Sequence, residues 1–563
     1  MKFHVIMFLA LLFITPFIQF TNAESEPIVP YYPRISNVVD WLILQEVTYE
    51  SGQTGFAASV NYENQDYFRV YTDDNARMAM ALTTALQYYV KESGDHPDLD
   101  EKIKVAVNFV LNSQTSTKDF YHYWQLPEIY QQEITGWQNS GEFNYWNAAI
   151  LQGLAVTSTK MRWERSLGVQ DTDFVYYDNV KQVVKDCLDK WQPASQSEDG
   201  SWKLRNKEGA MDTEIGYNGE ILAALVALSC YQRNLNLNTS STQYANWAMS
   251  TANWLMERQE LRTDRSWPEG GGYGGLYNNK DDVTQFSAAN GRAIFGLAMY
   301  GLNIESLVQD PNPSKSEITE LMKAWIDGYV ARTHDDNWGP INRATSTGIF
   351  EYPKHTYMAA TMGTGTLAAY NFLLNYTSYD YATNFYGWII GNNEKSIDFQ
   401  SARGRYFIAN YGFYIGIEDE PPDYPINNDS NVETNAEALQ LMISLDDSSL
   451  AWKLYHVDIQ PEEKPGSQGC FIATSLYGSP MAEEVKFLRH FRDETMVGIM
   501  GEEKINSLNS LYYSFSPQVA QFILANSWIK IPLILVITPI LIILHYVDYI
   551  ISISFSLLEL FFN

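Results

Sequence analysis

Two kinds of hydrophobic segment alternate between residues 35 and 452 of the 563-residue chain. Segments such as 221–228 and 293–300 are apolar on every face, which is typical of buried helices. Segments such as 316–331 carry apolar residues at positions i, i+3, i+4 and i+7, the pattern of a helix packed on one side only. The alternation predicts six inner helices, starting near Asp73, Phe143, Asp212, Asp282, Pro353 and Val432. It also predicts six outer helices, near Ile35, Leu99, Phe174, Gln243, Ser316 and Tyr379.

A short motif repeats with the period of the inner helices. The stretch 72–82 contains Asn75 and returns in altered form at steps of 72, 71, 72, 71 and 74 residues, around Asn147, Asn218, Asn290, Thr361 and Asn435. A fixed period indicates a repeat architecture, and six such units can close into a ring. Because the asparagines recur so evenly and a sugar site is asymmetric, we expect them to bond neighbouring helix ends and close the ring.

The sixfold alternation of inner and outer helices over residues 35–452 resembles the six-hairpin α/α toroid. The resemblance implies an all-α fold of six helical hairpins. Proteins with this ring include many glycoside hydrolases, unsaturated-glycuronyl hydrolases, polysaccharide lyases and sugar epimerases, and related rings serve as terpene cyclases. The fold alone does not choose among these activities, although the lack of an Asp-rich motif disfavours a terpene cyclase.

The sequence ends suggest an exported protein. Lys2 and His4 precede an apolar run at 5–18, and Thr21-Asn22-Ala23 offers a small-residue cleavage site, so residues 1–23 are predicted to be a signal peptide. The toroid is then assigned to residues 24–456, followed by a Pro- and Glu-rich linker at 457–469.

The residues after the linker carry a second resemblance. Cys470-Phe471-Ile472-Ala473-Thr474, Tyr477-Gly478 and the later blocks 488–493 and 512–517 resemble the CFI-box C-terminal module of exported prokaryotic proteins, assigned here to residues 470–527 and expected to form a small helical unit. The apolar run 531–547 is long enough to span a bilayer, which predicts a membrane anchor at 528–563. We therefore expect the protein at the cell surface, anchored by its C-terminus; removal of the tail during sorting stays open.

Composition narrows the set of partners and cofactors. The net charge of −29 argues against nucleic acid, whose phosphates require Lys and Arg. The 38 tyrosines and 15 tryptophans suit sugar rings as well as a protein core. Three cysteines do not make a disulfide scaffold; Cys187 is predicted to be a buried thiol, and a bridge to Cys230 stays open. We find no metal-ligand spacing and no phosphate loop in the sequence, so neither a metal nor a cofactor is predicted.

Acidic residues mark the six entrances to the inner helices, and a ring brings these entrances to one mouth. The candidate catalytic residues are Asp73, Asp74, Asp212, Glu214, Glu351 and His355. Asp73-Asp74 resembles the adjacent acid pair of α-1,6-mannanase-type toroid hydrolases. For each single acid, helix N-capping is the competing interpretation. The candidate substrate-binding residues are the remaining acids and the aromatic residues of the same loops: Glu142, Tyr145, Trp146, Tyr217, Tyr273, Asp282, Trp338, Tyr352 and Glu433.

Three functional hypotheses follow, with a carbohydrate as the partner in each. The first is a glycoside hydrolase that uses one of Asp73 and Asp74 together with Asp212 or Glu214, because hydrolysis requires two carboxyl groups. The second is a polysaccharide lyase or epimerase that uses His355 with tyrosines and Arg292. The third is a surface glycan-binding protein without turnover, in which the acids serve as helix caps.

Overall fold

Twelve α-helices are present in the described part of the chain, and they fall into the two predicted kinds. The inner helices are α2 (Thr72–Glu92), α4 (Trp146–Ser166), α6 (Ile215–Asn234), α8 (Ser287–Leu307), α10 (Thr356–Leu373) and α12 (Val432–Asp446). The outer helices are α1 (Tyr31–Ile43), α3 (Leu99–Asn112), α5 (Phe174–Ser195), α7 (Asn238–Met256), α9 (Lys315–Ala324) and α11 (Tyr376–Ile389). Each predicted helix is confirmed, and α9 continues as a π-helix over Trp325–Val330.

The computed structural model describes residues 31–48, 52–57, 69–92, 99–125, 136–138, 143–166, 174–206, 211–235, 237–261, 273–279, 284–331, 334–335, 339–340, 343–345, 348–350, 356–373, 376–390 and 431–447, with scattered positions after 486. The predicted signal peptide, linker and Cys470 lie outside these residues, as do most of 470–563. The chain divides into two compact units, Met1–Val457 and Asp458–Asn563. None of the described helices is long and apolar enough to cross a membrane, and most of the predicted anchor lies outside the described residues.

The inner helices close into a ring. In chain order α2 contacts α4, and the contacts continue through α6, α8, α10 and α12 back to α2. Helices α3, α5, α7, α9 and α11 each pack on the inner helix that precedes them. Helix α1, the first outer helix, packs mainly on α12, the last inner helix. Contacts between the first and last helices of the toroid therefore close the ring.

Small residues let the inner helices approach one another closely. A Cβ atom added at Gly219 in α6 would collide with the backbone of Arg292 and Ala293 in α8, and one added at Gly291 would collide with the backbone of Thr361 in α10. Around these contacts the inner helices are buried on nearly all faces. The inner wall of the ring is thus packed too tightly for larger side chains at these points.

Short antiparallel sheets, which the sequence analysis did not predict, lie in the loops around the inner helices. β1 (Glu46–Thr48) pairs with β2 (Thr54–Phe56), β3 (Arg69–Tyr71) with β4 (Tyr123–Gln125) and β4 with β5 (Gly136–Gln138). β6 (Leu204–Arg205) pairs with β7 (Met211–Asp212), β8 (Gln285–Phe286) with β11 (Arg343–Thr345), β11 with β12 (Gly348–Phe350) and β9 (His334–Asp335) with β10 (Gly339–Pro340). Because β3 and β8 run directly into α2 and α8, these sheets shape the entrances.

The sequence predicts that the repeated asparagines bond neighbouring helix ends. They instead form hydrogen bonds with the backbone of these loops. The amide of Asn218 accepts a hydrogen bond from the backbone N–H of Trp202 (2.7 Å) and donates to the carbonyl of the same residue (3.1 Å). Asn75 and Asn290 form the same two-way bond with Phe56 and Leu276. Their role is structural, as expected, but each asparagine fastens the loop that precedes its own helix.

Both cysteines of the described toroid are buried and free, so the Cys187–Cys230 bridge left open by the sequence is not formed. Burial raises the pKa of the Cys187 thiol well above its usual range, which makes this side chain an inert part of the core.

Candidate functional site at the mouth of the ring

Four charged side chains meet across the centre of the ring. They come from the sixth residue of four inner helices: Arg77 in α2, Glu220 in α6, Arg292 in α8 and Glu437 in α12. Arg77 lies 2.8 Å from Glu220 and 2.9 Å from Glu437, and Arg292 lies 3.3 Å from Glu220. Along α6 and α8, Gly216 faces Ala289 and Gly219 faces Ala293, so these helices run in the same direction. The ends at which the first turns of the inner helices lie are called the mouth.

Glu433, one turn above Glu437, joins this network from the mouth side. Its Oε1 lies 3.4 Å from Arg77 Nε and 3.3 Å from Arg292 Nη2. The Arg292 guanidinium also lies over the ring of Tyr357, 5.0 Å from its centroid. A buried charge must be paired to be tolerated. Two guanidinium groups shared by three carboxylates therefore form the floor of the mouth.

A cavity of about 30 Å³ lies about one helical turn below this floor, with Gln152, Phe295, Thr364 and Gln440 among its lining residues. This volume holds about one water molecule and no sugar. Among the described residues this cavity is therefore too small to serve as a sugar site, which makes the mouth the candidate site.

Asp73 lies one turn above Arg77 in the first turn of α2. Burial, and next the negative charge of Glu433, raise its pKa to about 7. Its Oδ1 is buried and accepts no hydrogen bond from any of the described residues. The Nε2 atom of His122 lies 3.8 Å from that oxygen. Such an environment favours a carboxyl group that exchanges a proton near neutral pH.

Glu214 precedes α6 and has a similarly raised pKa. It occupies the N-cap position, but its side chain makes no capping hydrogen bond, so the capping interpretation fails for this residue. Burial raises its pKa to about 7 against the opposing charge of Arg292, and Tyr217 shares a hydrogen bond with it. The mouth thus contains two carboxyl groups that titrate close to neutral pH.

The other two predicted catalytic aspartates differ from this pair. The Oδ1 of Asp212 accepts hydrogen bonds from the Asn279 amide (3.0 Å) and from the backbone N–H of Thr213 (2.7 Å). These bonds make Asp212 part of the loop structure before α6. Asp74 is buried, 7% exposed, whereas the Asp73 side chain is 16% exposed and its pKa is raised to about 7, so Asp73 is the candidate of the adjacent pair.

Aromatic side chains line one side of the mouth. Tyr145 stacks on Tyr217 with ring centroids 5.5 Å apart, and His122 stacks on Trp146 at 4.2 Å. Tyr71 lies 4.9 Å from the ring of His122. Trp146 is buried beneath His122, whereas Tyr71, His122, Tyr145 and Tyr217 are half-buried rings, a kind of surface on which a sugar ring can stack.

The predicted site residues therefore separate into three groups. The structure brings Asp73, Asp74, Tyr145, Trp146, Glu214, Tyr217 and Glu433 to the mouth. Tyr273 instead packs against Gly328 in the outer π-helix, and Asp212 holds a loop. The remaining predicted residues lie outside the described residues: Glu142, Asp282, Trp338, Glu351, Tyr352 and His355.

Four important residues were missed in the sequence: Arg77, His122, Glu220 and Glu437. Three of them carry a visible signal, because each lies two positions after a repeat asparagine, as Arg292 does. A charged residue inside an otherwise apolar helix must find a partner. Alignment of the repeats would have placed two arginines and two glutamates at one level of the ring. His122 lies in a loop and has no such signal.

Comparison with known proteins identifies the fold but no family. No protein-family model and no curated protein matches the sequence. Among solved structures, a D-mannose isomerase matches with a TM-score of 0.53 at 9% identity, over 76% of this chain and 100% of that one. A sugar epimerase from a ruminal bacterium matches with a TM-score of 0.51 at 10% identity, over 74% of this chain and 97% of that one.

A cellobiose 2-epimerase from Bacillus thermoamylovorans B4167 matches with a TM-score of 0.50 at 10% identity, over 74% of this chain and 98% of that one. At such low identities these similarities describe architecture and do not assign a reaction. Together with the closed ring of inner helices, they define the first unit of the chain as an α/α toroid.

Proposed function

We propose that this protein is a carbohydrate-active enzyme that hydrolyses a glycosidic bond at the mouth, with Asp73 and Glu214 as its two catalytic carboxyl groups. The observation that carries the proposal is that both groups lie half-buried at the first turns of α2 and α6, at the mouth, and have a pKa raised to about 7. Glycoside hydrolysis requires one protonated carboxylic acid and one carboxylate on either side of the scissile bond. Two groups that titrate near pH 7 share on average one proton at that pH, which is the required state.

The surroundings of the two carboxyl groups suit this chemistry. Tyr145 and Tyr217 are half-buried aromatic rings that could face a sugar, and the network of arginines and glutamates lies beneath the two carboxyl groups. One carboxylic acid donates its proton to the oxygen of the leaving sugar. The other carboxylate attacks the anomeric carbon or activates water, depending on the separation of the pair when substrate is bound.

A second candidate function is sugar epimerisation or isomerisation. The specific observation in its favour is His122, which is stacked on Trp146 and lies 3.8 Å from Asp73. A histidine and a carboxyl group can remove a proton from a carbon next to a carbonyl and return one. The three solved structures named above are described as a sugar isomerase and sugar epimerases, but at 9–10% identity they do not choose between the two reactions. His355, the predicted base for this reaction, lies outside the described residues.

The experiment is an assay of the purified full-length protein on a polysaccharide and oligosaccharide panel, with Asp73→Asn and Glu214→Gln beside it. We expect release of reducing ends by the wild type and loss of release in both variants. Glu320→Gln is the matched control, because this glutamate is 75% exposed on α9. Unchanged release in either mouth variant refutes the assigned roles.

The same assay separates the alternatives. Interconversion of a free sugar without bond cleavage favours the epimerase, and products that absorb in the ultraviolet indicate a lyase. Retention of a glycan with no turnover favours the binding protein.

For the location of the protein, we propose export and a C-terminal membrane anchor, which rest on the apolar runs 5–18 and 531–547. Membrane fractionation of cells that express the full chain or a chain lacking residues 528–563 tests this. We expect the full chain in the membrane fraction and the shortened chain outside it; the same distribution of both chains contradicts the anchor.

A further inference from the structure

Glu433 differs from the other two glutamates of the network in its exposure. The side chains of Glu220 and Glu437 are 1% and 8% exposed, whereas that of Glu433 is 31% exposed. A single oxygen of Glu433 lies within 3.4 Å of both Arg77 and Arg292. Glu433 is therefore the member of the network that a bound substrate would meet.

The charges of the network show what Glu433 adds. Arg77 and Arg292 are already balanced one for one by Glu220 and Glu437, which pair with them from the buried side. Glu433 brings a third carboxylate to the same two guanidinium groups. A pair of arginines facing an open site would otherwise attract a carboxylate or sulfate on a ligand.

We propose that Glu433 determines substrate specificity by occupying the guanidinium pair in place of a ligand carboxylate, so that the mouth accepts sugars without acidic groups and rejects uronates and sulfated sugars. This inference rests on the proposed carbohydrate function of the same site. An acidic sugar would have to compete with Glu433 for the arginines and would approach Asp73, Asp74 and Glu214, where like charges oppose its binding.

The substitution Glu433→Gln tests the proposal because it removes the charge and keeps the shape. In this variant two arginines face two glutamates, so the network is balanced and the fold has no unpaired buried charge. The carboxylate of a uronate could then take the place of the missing one. A purely structural Glu433 predicts instead that the substitution alters stability without altering the choice of sugar.

The experiment is direct binding, measured by calorimetry or ligand-observed NMR, for sugar pairs that differ only at C6. The probes are glucose and glucuronate, galactose and galacturonate, and mannose and mannuronate. We expect the wild type to bind the neutral member of at least one pair more tightly. We expect Glu433→Gln to reduce the ratio between the Kd of the acidic sugar and that of the neutral sugar by roughly tenfold or more, since one like charge is removed from a partly screened site. Glu320→Gln should leave the difference unchanged.

The outcomes separate the two proposals. Equal or tighter binding of the acidic sugar by the wild type overturns the specificity proposal and leaves the hydrolase proposal standing, as does an unchanged difference in Glu433→Gln. Binding of neither member of any pair, with no turnover of the polysaccharide panel, overturns both. If the variant does not fold, the wild type alone still overturns the proposal when it binds the acidic sugar of each pair as tightly as the neutral one.

Discussion

Replacing Asp73 by asparagine should stabilise the protein at alkaline pH, although it removes a proposed catalytic group. Asparagine has nearly the same shape as aspartate and carries no charge. The Asp73 side chain is 16% exposed, and its pKa in the fold is raised to about 7 from a reference value of 3.8. The folded state therefore destabilises the ionised form of Asp73. Asparagine does not ionise, so the variant does not carry this cost.

The size of the effect follows from the pKa shift. A shift of about 3 units corresponds to about 4 kcal/mol of destabilisation once the carboxyl is ionised in both folded and unfolded chains. Between about pH 4 and pH 7 the folded protein holds the proton and the unfolded chain does not, so stability falls as pH rises through that range. We expect Asp73→Asn to match the wild type near pH 4 and to exceed it by up to about 4 kcal/mol at pH 8.

Urea denaturation of the two proteins at pH 4, 6 and 8 measures this difference. Glu320→Gln on the exposed face of α9 serves as the control and should leave the stability unchanged at each pH. A variant that is less stable than the wild type at pH 8 would show that Asp73 stabilises the start of its helix. Our reasoning is that the fold destabilises the ionised form of Asp73 and that this cost is retained for catalysis. A less stable variant at pH 8 would refute it.

Three further substitutions test the architecture, with chemical denaturation as the measurement. Asn290→Ala should cost about 2–4 kcal/mol because three backbone groups of the preceding loop lose their amide partner; a loss below that range would mean that water replaces the amide. Gly219→Ala should cost about 1–3 kcal/mol through collision with the backbone of α8, and more than Gly301→Ala, whose nearest neighbour is the movable ring of Phe372. Arg77→Met should cost about 3–5 kcal/mol because buried carboxylates lose a cation; a neutral result would mean that those carboxylates take up protons.

Much of the fold could be predicted because periodicity reports burial directly. An amphipathic stretch such as 316–331 has one apolar face in any fold, and an all-apolar stretch such as 293–300 must be enclosed. The short strands could not be predicted in this way. Two or three residues, as in β6 and β8, contain too few positions for an alternating pattern to be recognised.

The site was only partly predictable, because its decisive contacts join residues far apart in the sequence. Asp73 and Glu214 stand out as acids at helix starts, but their burial depends on neighbours from other repeats. The partners of Arg77 are 143 and 360 residues away. The choice between Asp212 and Glu214 also required the structure, since only the hydrogen bond to Asn279 shows which one is fastened in a loop.

The closure of the ring by its two ends has a consequence for how the protein reaches its active form. Helix α1 is made first during synthesis, yet its main partner, α12, is made after the other helices of the toroid. The bond between Arg77 and Glu437 likewise joins residues 360 positions apart. Such distant contacts form slowly, because the loop between them must be ordered first. The floor of the mouth therefore cannot be completed on a growing chain until α12 has emerged, which makes assembly of the site one of the last events of folding.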